Sequence, residues 1–213
     1  MRKHFGNVGP VRGALRGRAW RSPWHPFRSC AAPMKLLMWA LVVAASATGA
    51  NAAEVVPAAQ SPSEFAHAVL KDAKGTDVGH VRVRETPNGA IVIARFSGIP
   101  PGTHAFHIHE KGKCEPPFDS AGGHLNPAGK KHGFAAPAGW HAGDMPNIEI
   151  GTDKTLEVTF FVAGLSKAAL LDGDGSAFVV HGGPDDNTTD PSGNAGPRIA
   201  CGVVEAGAMT GPG

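Results

Sequence analysis

Residues 102–110 read GTHAFHIHE and contain a His-x-His pair, His107 and His109. On a β-strand, positions two apart face the same side, so the rings of His107 and His109 can approach one metal ion. On a helix, the same two rings would diverge by about 200°. Imidazole is the commonest metal ligand that proteins supply. The pattern therefore predicts a metal-binding β protein.

More ligand-type residues follow the His-x-His pair. They are His124, His132, His141, Asp144 and His181, which brings the total to seven, more than one metal site needs. Four of them fall within residues 111–147, a stretch rich in Gly, Pro, Asn and His that has no strand pattern. A loop of that length inside a compact domain is usually functional. A bound metal can supply the order that secondary structure does not.

Short runs with period-two or β-branched character make up most of the chain after residue 63. We predict strands at Phe65–Leu70, Val78–Glu85, Ala90–Phe96, His104–Glu110, Ile148–Ile150, Thr155–Val162, Ser176–Val180 and Ile199–Val204. Thr86-Pro87-Asn88-Gly89 predicts a hairpin turn, because Asn-Gly tolerates positive φ. Only Lys167–Leu171 has the pattern of a helical turn, and residues 182–197 form a second irregular stretch. About eight short strands indicate an all-β sandwich or barrel.

The N-terminal part of the chain has the pattern of a secretory leader. Lys35 precedes the apolar run Leu36–Ala45, and Ala50-Asn51-Ala52 is a small-x-small cleavage site. A helix needs about 20 apolar residues to span a bilayer, and this run is shorter. Its length therefore favours a cleaved signal peptide over the alternative of a membrane anchor. We predict that Met34 is the true initiator. The predicted division is an upstream extension at 1–33, a signal peptide at 34–52, a flexible lead at 53–63 and the folded domain at 64–213.

Removal of this leader reverses the charge of the chain. Eight of the 20 Lys and Arg residues lie within residues 1–52, which contain no Asp or Glu. The remaining 12 basic and 18 acidic residues give a formal charge of −6. No polybasic stripe remains, so we exclude nucleic acid as a partner.

Five motifs in order resemble those of the copper/zinc superoxide dismutases, of the secreted bacterial, periplasmic kind. They are residues 102–110, Gly123-His124-Leu125-Asn126-Pro127, Lys131-His132-Gly133, Gly139-Trp140-His141-Ala142-Gly143-Asp144, and the stretch 193–202 that reads GNAGPRIACG. The resemblance extends from about Phe65 to Val204. It implies a Greek-key β-sandwich or barrel of about eight antiparallel strands with two long functional loops.

The resemblance divides the ligand-type residues into two sites that share His124. Copper would be held by His107, His109, His124 and His181, and zinc by His124, His132, His141 and Asp144. Four imidazoles suit Cu(II), and three histidines with a carboxylate are an ordinary zinc set. The implied activity is dismutation of superoxide to dioxygen and hydrogen peroxide, with copper cycling between Cu(II) and Cu(I), zinc in a structural role, and His124 taking up and returning a proton.

The resemblance also assigns residues around the metals. Arg198 would hold and orient the superoxide anion beside copper. Asp185 would link a copper histidine to a zinc histidine, although its neighbour Asp186 is an alternative. With Cys30 in the leader, Cys114 and Cys201 are an even pair that favours a disulfide in an oxidising compartment over two separate buried thiols.

Three further histidines, His67, His80 and His104, are interpreted as structural. Four lysines in the first loop are expected to guide superoxide to the site: Lys111, Lys113, Lys130 and Lys131. Two other functions compete, a periplasmic copper- and zinc-binding protein without turnover and a structural zinc-loop domain, but neither gives a role to Arg198. The sequence leaves open whether the protein is a monomer or a homodimer.

Overall fold

The computed structural model describes residues 63–210. The predicted upstream extension, signal peptide and cleavage site, and nearly all of the flexible lead, lie outside these residues. The described strands are β1 (Glu64–Asp72), β2 (Asp77–Thr86), β3 (Gly89–Ser97), β4 (Gly102–His104), β5 (Phe106–His109), β6 (Ile148–Ile150), β7 (Thr155–Ala163), β8 (Ala177–His181), β9 (Arg198–Val203) and β10 (Glu205–Ala206). One α-helix, α1 (Lys167–Leu170), and one 3-10 helix, Asp119–Ala121, complete the described structure.

The described strands form one large antiparallel sheet and one small one. In the large sheet the order is β5-β8-β9-β1-β2-β3-β7, with β10 paired to β1, while β4 and β6 form a separate pair. The chain passes from β7 at one edge to β8, beside the other edge, a crossing typical of Greek-key connections. The prediction of an all-β fold is confirmed, and each predicted strand except His104–Glu110 is present as one strand with small shifts at its ends. Among residues 63–210 no helix has the length and hydropathy to cross a membrane.

The hairpin between β2 and β3 depends on one glycine. Thr86 pairs with Gly89 across the turn, and Gly89 has a φ of +150°. A Cβ on Gly89 would lie 2.2 Å from the carbonyl oxygen of Val162 on the neighbouring strand β7. The hairpin prediction holds, but the positive φ belongs to the glycine and not to Asn88.

The predicted single strand His104–Glu110 is wrong in one respect, because it divides at Ala105. The segment before Ala105 pairs with β6, and the segment after it pairs with β8. The Ala105 amide donates to Gly183 O (2.9 Å), and its carbonyl accepts from the His181 amide (2.9 Å). The chain therefore changes from one sheet to the other at this residue without leaving a backbone group unpaired.

Strand β5 is buried on both faces. Phe106 and Ile108 face the apolar core, where the Phe106 ring stacks on Phe178 with centroids 5.5 Å apart. His107 and His109 face the opposite side and are also buried. The period-two alternation of the strand thus separates a hydrocarbon face from an imidazole face.

The imidazole face is covered by the loop that follows β5, residues 110–147. Ile108 donates its amide to Gly143 O (2.9 Å) and accepts from the Leu125 amide (2.8 Å), so the loop returns twice to the edge of β5. A Cβ on Gly143 would lie 2.2 Å from Ile108 O, so only glycine allows this approach. The loop is thereby held against the strand that carries the His-x-His pair.

Candidate metal centre

Two groups of possible metal ligands form where the loop 110–147 covers the imidazole face of β5, and all their members are buried. One group is His107, His109, His124 and His181, and the other is His124, His132, His141 and Asp144. Within each group, the ligand atoms lie within 4.8 Å of one another. The structure thus brings together the seven residues that the sequence analysis selected, in the same two sets with His124 in common.

In the first group, one nitrogen of each imidazole ring contacts a carbonyl or carboxylate oxygen, and the other nitrogen faces the ligand cluster. His109 Nδ1 lies 3.0 Å from Gly122 O, and His181 Nδ1 lies 3.3 Å from Gly196 O. Carbonyl oxygens only accept, so each Nδ1 carries the proton and each Nε2 keeps its lone pair. These two Nε2 atoms are 3.4 Å apart. Nδ1 of His107 and Nε2 of His124 are buried without a hydrogen-bond partner.

In the second group, three imidazole nitrogens surround one carboxylate oxygen. Asp144 Oδ1 lies 2.8 Å from His124 Nδ1 and 3.2 Å from the Nδ1 atoms of His132 and His141. The contact with His132 has no hydrogen-bond geometry, which leaves that buried nitrogen without a partner. The other oxygen of Asp144 accepts from the Gly133 amide (2.8 Å) and the His141 amide (3.1 Å).

The charge states of these groups suit cation binding. Burial would raise the pKa of Asp144, but hydrogen bonds from His124 and the Gly133 amide outweigh it and lower the pKa to about 2. Burial lowers the pKa of His124 to about 4 and that of His181 to about 3, and it also lowers that of His109. At neutral pH Asp144 is therefore an anionic carboxylate, and His109, His124 and His181 are neutral imidazoles that can offer a lone pair to a cation.

The Asp185 carboxylate connects the two groups by contacting one histidine of each. Its Oδ2 lies 2.8 Å from His107 Nε2, and its Oδ1 lies 2.9 Å from His132 Nε2. Burial would raise the pKa of Asp185, but these two hydrogen bonds hold it well below its usual range. Both rings must donate to the carboxylate, which turns their Nδ1 lone pairs toward the site. Asp186 makes no such bridge, because its carboxylate accepts from Thr189 within its own loop.

Sequence reasoning missed the residue that fixes Asp185. The side chain of Asn147 accepts from the Asp185 amide (2.8 Å) and donates to the Asp185 carbonyl (2.9 Å). This pair of bonds ties the second loop, residues 182–197, to the end of the first. A polar residue directly before strand β6 was the only signal for it in the sequence.

Arg198 is half-buried at the start of β9, and its guanidinium is held by two backbone carbonyls. Its Nη1 donates to Phe118 O and its Nη2 to Gly122 O, both at 2.7 Å. Gly122 O also accepts from His109, so one carbonyl fixes both a ligand-type histidine and the arginine. The positive charge of Arg198 contributes to the lowered pKa values of His109 and His181, which places it beside the first group.

A disulfide and a buried histidine support this arrangement. Cys114 and Cys201 are bonded, with Cα atoms 5.6 Å apart, and join the loop that supplies the two carbonyls to the strand that carries Arg198. His104 places its ring nitrogens 2.8 Å from His181 O and 2.9 Å from Pro100 O, outside both ligand groups. His67 Nδ1 lies 3.1 Å from Gly207 O, and His67 belongs to neither ligand group.

The residues fit one copper and one zinc ion. Three ligand-type nitrogens, on His107, His124 and His132, are buried without hydrogen bonds, which would be costly unless a cation engaged their lone pairs. Four imidazoles match the preference of Cu(II), and three imidazoles with one carboxylate match tetrahedral zinc. His124 presents one nitrogen to each group and can therefore contact both ions.

Comparison with known proteins agrees with this chemistry. A family model described as copper/zinc superoxide dismutase (SODC) matches residues 78–204. Superoxide dismutase [Cu-Zn] 2 of Aquifex aeolicus is 45% identical over 157 residues, which cover 70% of this chain and 92% of that protein. Superoxide dismutase [Cu-Zn] of Caulobacter vibrioides is 45% identical over 148 residues, 66% of this chain and 85% of that protein.

Solved structures give the same result. The crystal structure of a superoxide dismutase-like protein from Bacillus subtilis has a TM-score of 0.61 at 41% identity and covers 64% of this chain and 96% of that chain. Cu/Zn superoxide dismutase from Brucella abortus has a TM-score of 0.56 at 29% identity, with 65% and 98% covered. The chain belongs to the copper/zinc superoxide dismutase family.

Proposed function

We propose that this chain dismutes superoxide with copper held by His107, His109, His124 and His181, and zinc held by His124, His132, His141 and Asp144. The observation that supports this assignment best is the position of His124 in both ligand groups. Its Nδ1 lies in the carboxylate-containing group, and its Nε2 is buried without a partner beside the other three histidines. A ring that faces two ligand sets can join a redox ion to a structural one.

The Cu(II)/Cu(I) couple supplies the one-electron chemistry when copper is bound, and zinc orders the loop. The protein contributes proton handling and positioning. When one superoxide gives up its electron and leaves as dioxygen, His124 Nε2 takes a proton. It returns that proton when the second superoxide is reduced, and with one more proton from solvent the product is hydrogen peroxide. His124 and Asp144 would both hold zinc, which would keep the ring in place during this exchange.

Arg198 orients the anion. Its guanidinium cannot lose its charge at physiological pH and is fixed by two carbonyls, and no carboxylate among residues 63–210 forms an ion pair with it. A fixed cation beside the first ligand group attracts superoxide and limits its approach to one direction. The alternative of a metal-binding protein without turnover gives this arginine no role.

The direct test is metal analysis together with superoxide consumption by the mature protein. We expect one copper and one zinc per chain, and His124→Ala is expected to lose activity and release both metals more easily. His67→Ala is the matched control, because His67 lies outside both ligand groups. Full activity in a sample that lacks copper would overturn the assignment.

Substrate guidance by the first loop rests on its lysines. Lys113 pairs with Glu115 (3.1 Å) and Lys131 pairs with Asp190 (2.8 Å), whereas Lys111 makes no ion pair with any residue in the part of the chain that the structure describes. Reversal of charge at Lys111 and Lys113 together is expected to slow the reaction and weaken its salt dependence, with most of the effect from Lys111. An unchanged rate and salt slope would exclude this route.

We infer from the predicted leader that the chain is exported to the periplasm after cleavage at Ala52 or Ala53, and that the apolar run is removed with the signal and does not stay as a membrane anchor. N-terminal sequencing and cell fractionation test this inference, and a precursor that begins at Met1 would contradict initiation at Met34. A homodimer is the alternative to a monomer, and the mass from equilibrium sedimentation separates the two.

A further inference from the structure

A small cavity lies on the outer face of the main sheet, away from the metal ligands. Its volume is about 170 Å³, and its lining is His80, Arg82, Arg84, Ile93, Arg95 and Glu157. These residues belong to β2, β3 and β7, whereas the ligand-type residues come from β5, β8 and the first long loop. No residue assigned to dismutation lines this cavity.

The strand register explains why these side chains converge. Along β2, Val81 and Val83 are buried in the core, so His80, Arg82 and Arg84 face the other way. Across the strand pair, His80 lies opposite Arg95. Three positive side chains and a histidine therefore share one exposed face.

Positive charge is concentrated here although the chain after residue 52 is acidic. Of the four arginines in residues 53–213, only Arg198 lies elsewhere. Glu157 is the single acid in the lining, at 3.2 Å from Arg95, and Arg82 lies 3.9 Å from Glu64. Arg84 makes no ion pair and no side-chain hydrogen bond with any residue between 63 and 210.

His80 adds an unused polar group to the lining. Its Nδ1 is buried and has no hydrogen-bond partner among the described residues. A buried polar atom without a partner is costly, and in native proteins such an atom usually bonds an ordered water, an ion or a ligand. Arg82 and Arg84 lie two residues apart on the same strand face, so their like charges repel each other, and an anion bound between them would reduce that repulsion.

We propose that this cavity binds a phosphate group. Three arginines against one glutamate give the lining a formal charge of +2, which complements a phosphate. The forked guanidinium of Arg84 can donate two hydrogen bonds to neighbouring phosphate oxygens. The volume of about 170 Å³ accommodates a phosphate group. The ligand is either free phosphate or a phosphate-containing lipid headgroup, since both present the same oxygens.

The test uses the metal-loaded protein with Arg198→Gln, because Arg198 is a second place where an anion can bind. Inorganic phosphate is titrated by calorimetry at constant ionic strength, with sodium chloride as the reference salt. We expect one equivalent to bind, and Arg84→Gln to weaken it by about tenfold or more, which is typical of a lost charge-assisted contact. Arg84→Lys keeps the charge but loses the fork, so intermediate binding is expected. Lys167→Gln is the matched control, since it removes the same charge outside the lining.

Vesicles separate the two sources of phosphate. Binding to phosphatidylglycerol vesicles but not to phosphatidylcholine vesicles, lost in Arg84→Gln, identifies a lipid headgroup; binding of inorganic phosphate alone identifies the free ion. Dismutase activity of Arg84→Gln in the chain that retains Arg198 is expected to be unchanged. The proposal is overturned if neither phosphate nor phosphatidylglycerol vesicles bind, if chloride has the same effect, or if Arg84→Gln binds phosphate as well as its parent does.

Discussion

Replacement of Asp185 by asparagine tests whether this carboxylate fixes the tautomer of His107, one of the proposed copper ligands. The Asp185 Oδ1 atom accepts from both His132 Nε2 (2.9 Å) and the Asn187 amide (2.6 Å). An asparagine would keep its oxygen there, because two donors point at that position. Its NH2 group would then face His107 Nε2, where Oδ2 now accepts at 2.8 Å.

The consequence is a change of tautomer. With a donor opposite it, His107 Nε2 must give up its proton, and the proton moves to Nδ1, the atom that the copper assignment uses. Loss of one buried hydrogen bond to a charged group costs about 1.5–3 kcal/mol. That corresponds to a decrease of about 10- to 150-fold in copper affinity. His132 keeps its acceptor, so zinc affinity is expected to fall much less.

Chelator competition with each metal separately measures the effect, and electron paramagnetic resonance of the Cu(II) protein reports any change in its ligands. Asp186→Asn is the matched control, because the same substitution one residue away alters a carboxylate that bonds only its own loop. Equal copper affinity in Asp185→Asn and the parent protein would refute the tautomer argument. An equal loss in Asp186→Asn would show that loop charge is responsible instead.

Three further predictions concern stability and zinc retention. Removal of the disulfide by Cys114→Ser with Cys201→Ser opens a loop with a sequence separation of 87, and guanidinium unfolding is expected to show a loss of about 4–5 kcal/mol in the chain-entropy model. Gly133→Ala places a Cβ 2.1 Å from a carbonyl oxygen of the second loop, so dialysed protein should lose zinc, whereas Gly129→Ala, with no neighbour within 4 Å, should retain it. In the metal-free protein, burial lowers the pKa of His124 to about 4. Between about pH 6.5 and 4, His124 is therefore protonated in the unfolded chain but not in the native state, so the native state loses stability as the pH falls. The urea concentration at the unfolding midpoint should decrease through this pH range, and a midpoint that does not change with pH would contradict the prediction.

The alternating strands were predictable from the sequence because their physical cause is local. In β2, the pattern Val81-Arg82-Val83-Arg84 has a period of two, and the structure buries both valines. The His-x-His pair likewise required only that β5 be a strand. The division of the ligands between two ions, by contrast, came from the resemblance, since spacing alone does not say that His124 lies between the two groups.

What the sequence could not predict involves backbone atoms and distant partners. The strand break at Ala105 arises because its amide and carbonyl bond Gly183 and His181, nearly 80 positions later. The carbonyls of Phe118 and Gly122 that hold Arg198 have no signature, since every residue carries one. Such partners become visible only when the loops are folded.

The two-sided burial of β5 has a consequence for how much folded protein a cell maintains. On one face, hydrocarbon packing stabilises the strand whatever the surroundings contain. On the other, stability depends on supply, because an ion that binds only the native chain adds free energy in proportion to the logarithm of its concentration, about 4.1 kcal/mol at a thousandfold excess over its dissociation constant. The three nitrogens without hydrogen bonds make the metal-free native state correspondingly less favourable. The abundance of intact enzyme should therefore follow the copper and zinc available where the chain folds, so that mass action limits the protein when its metals are scarce.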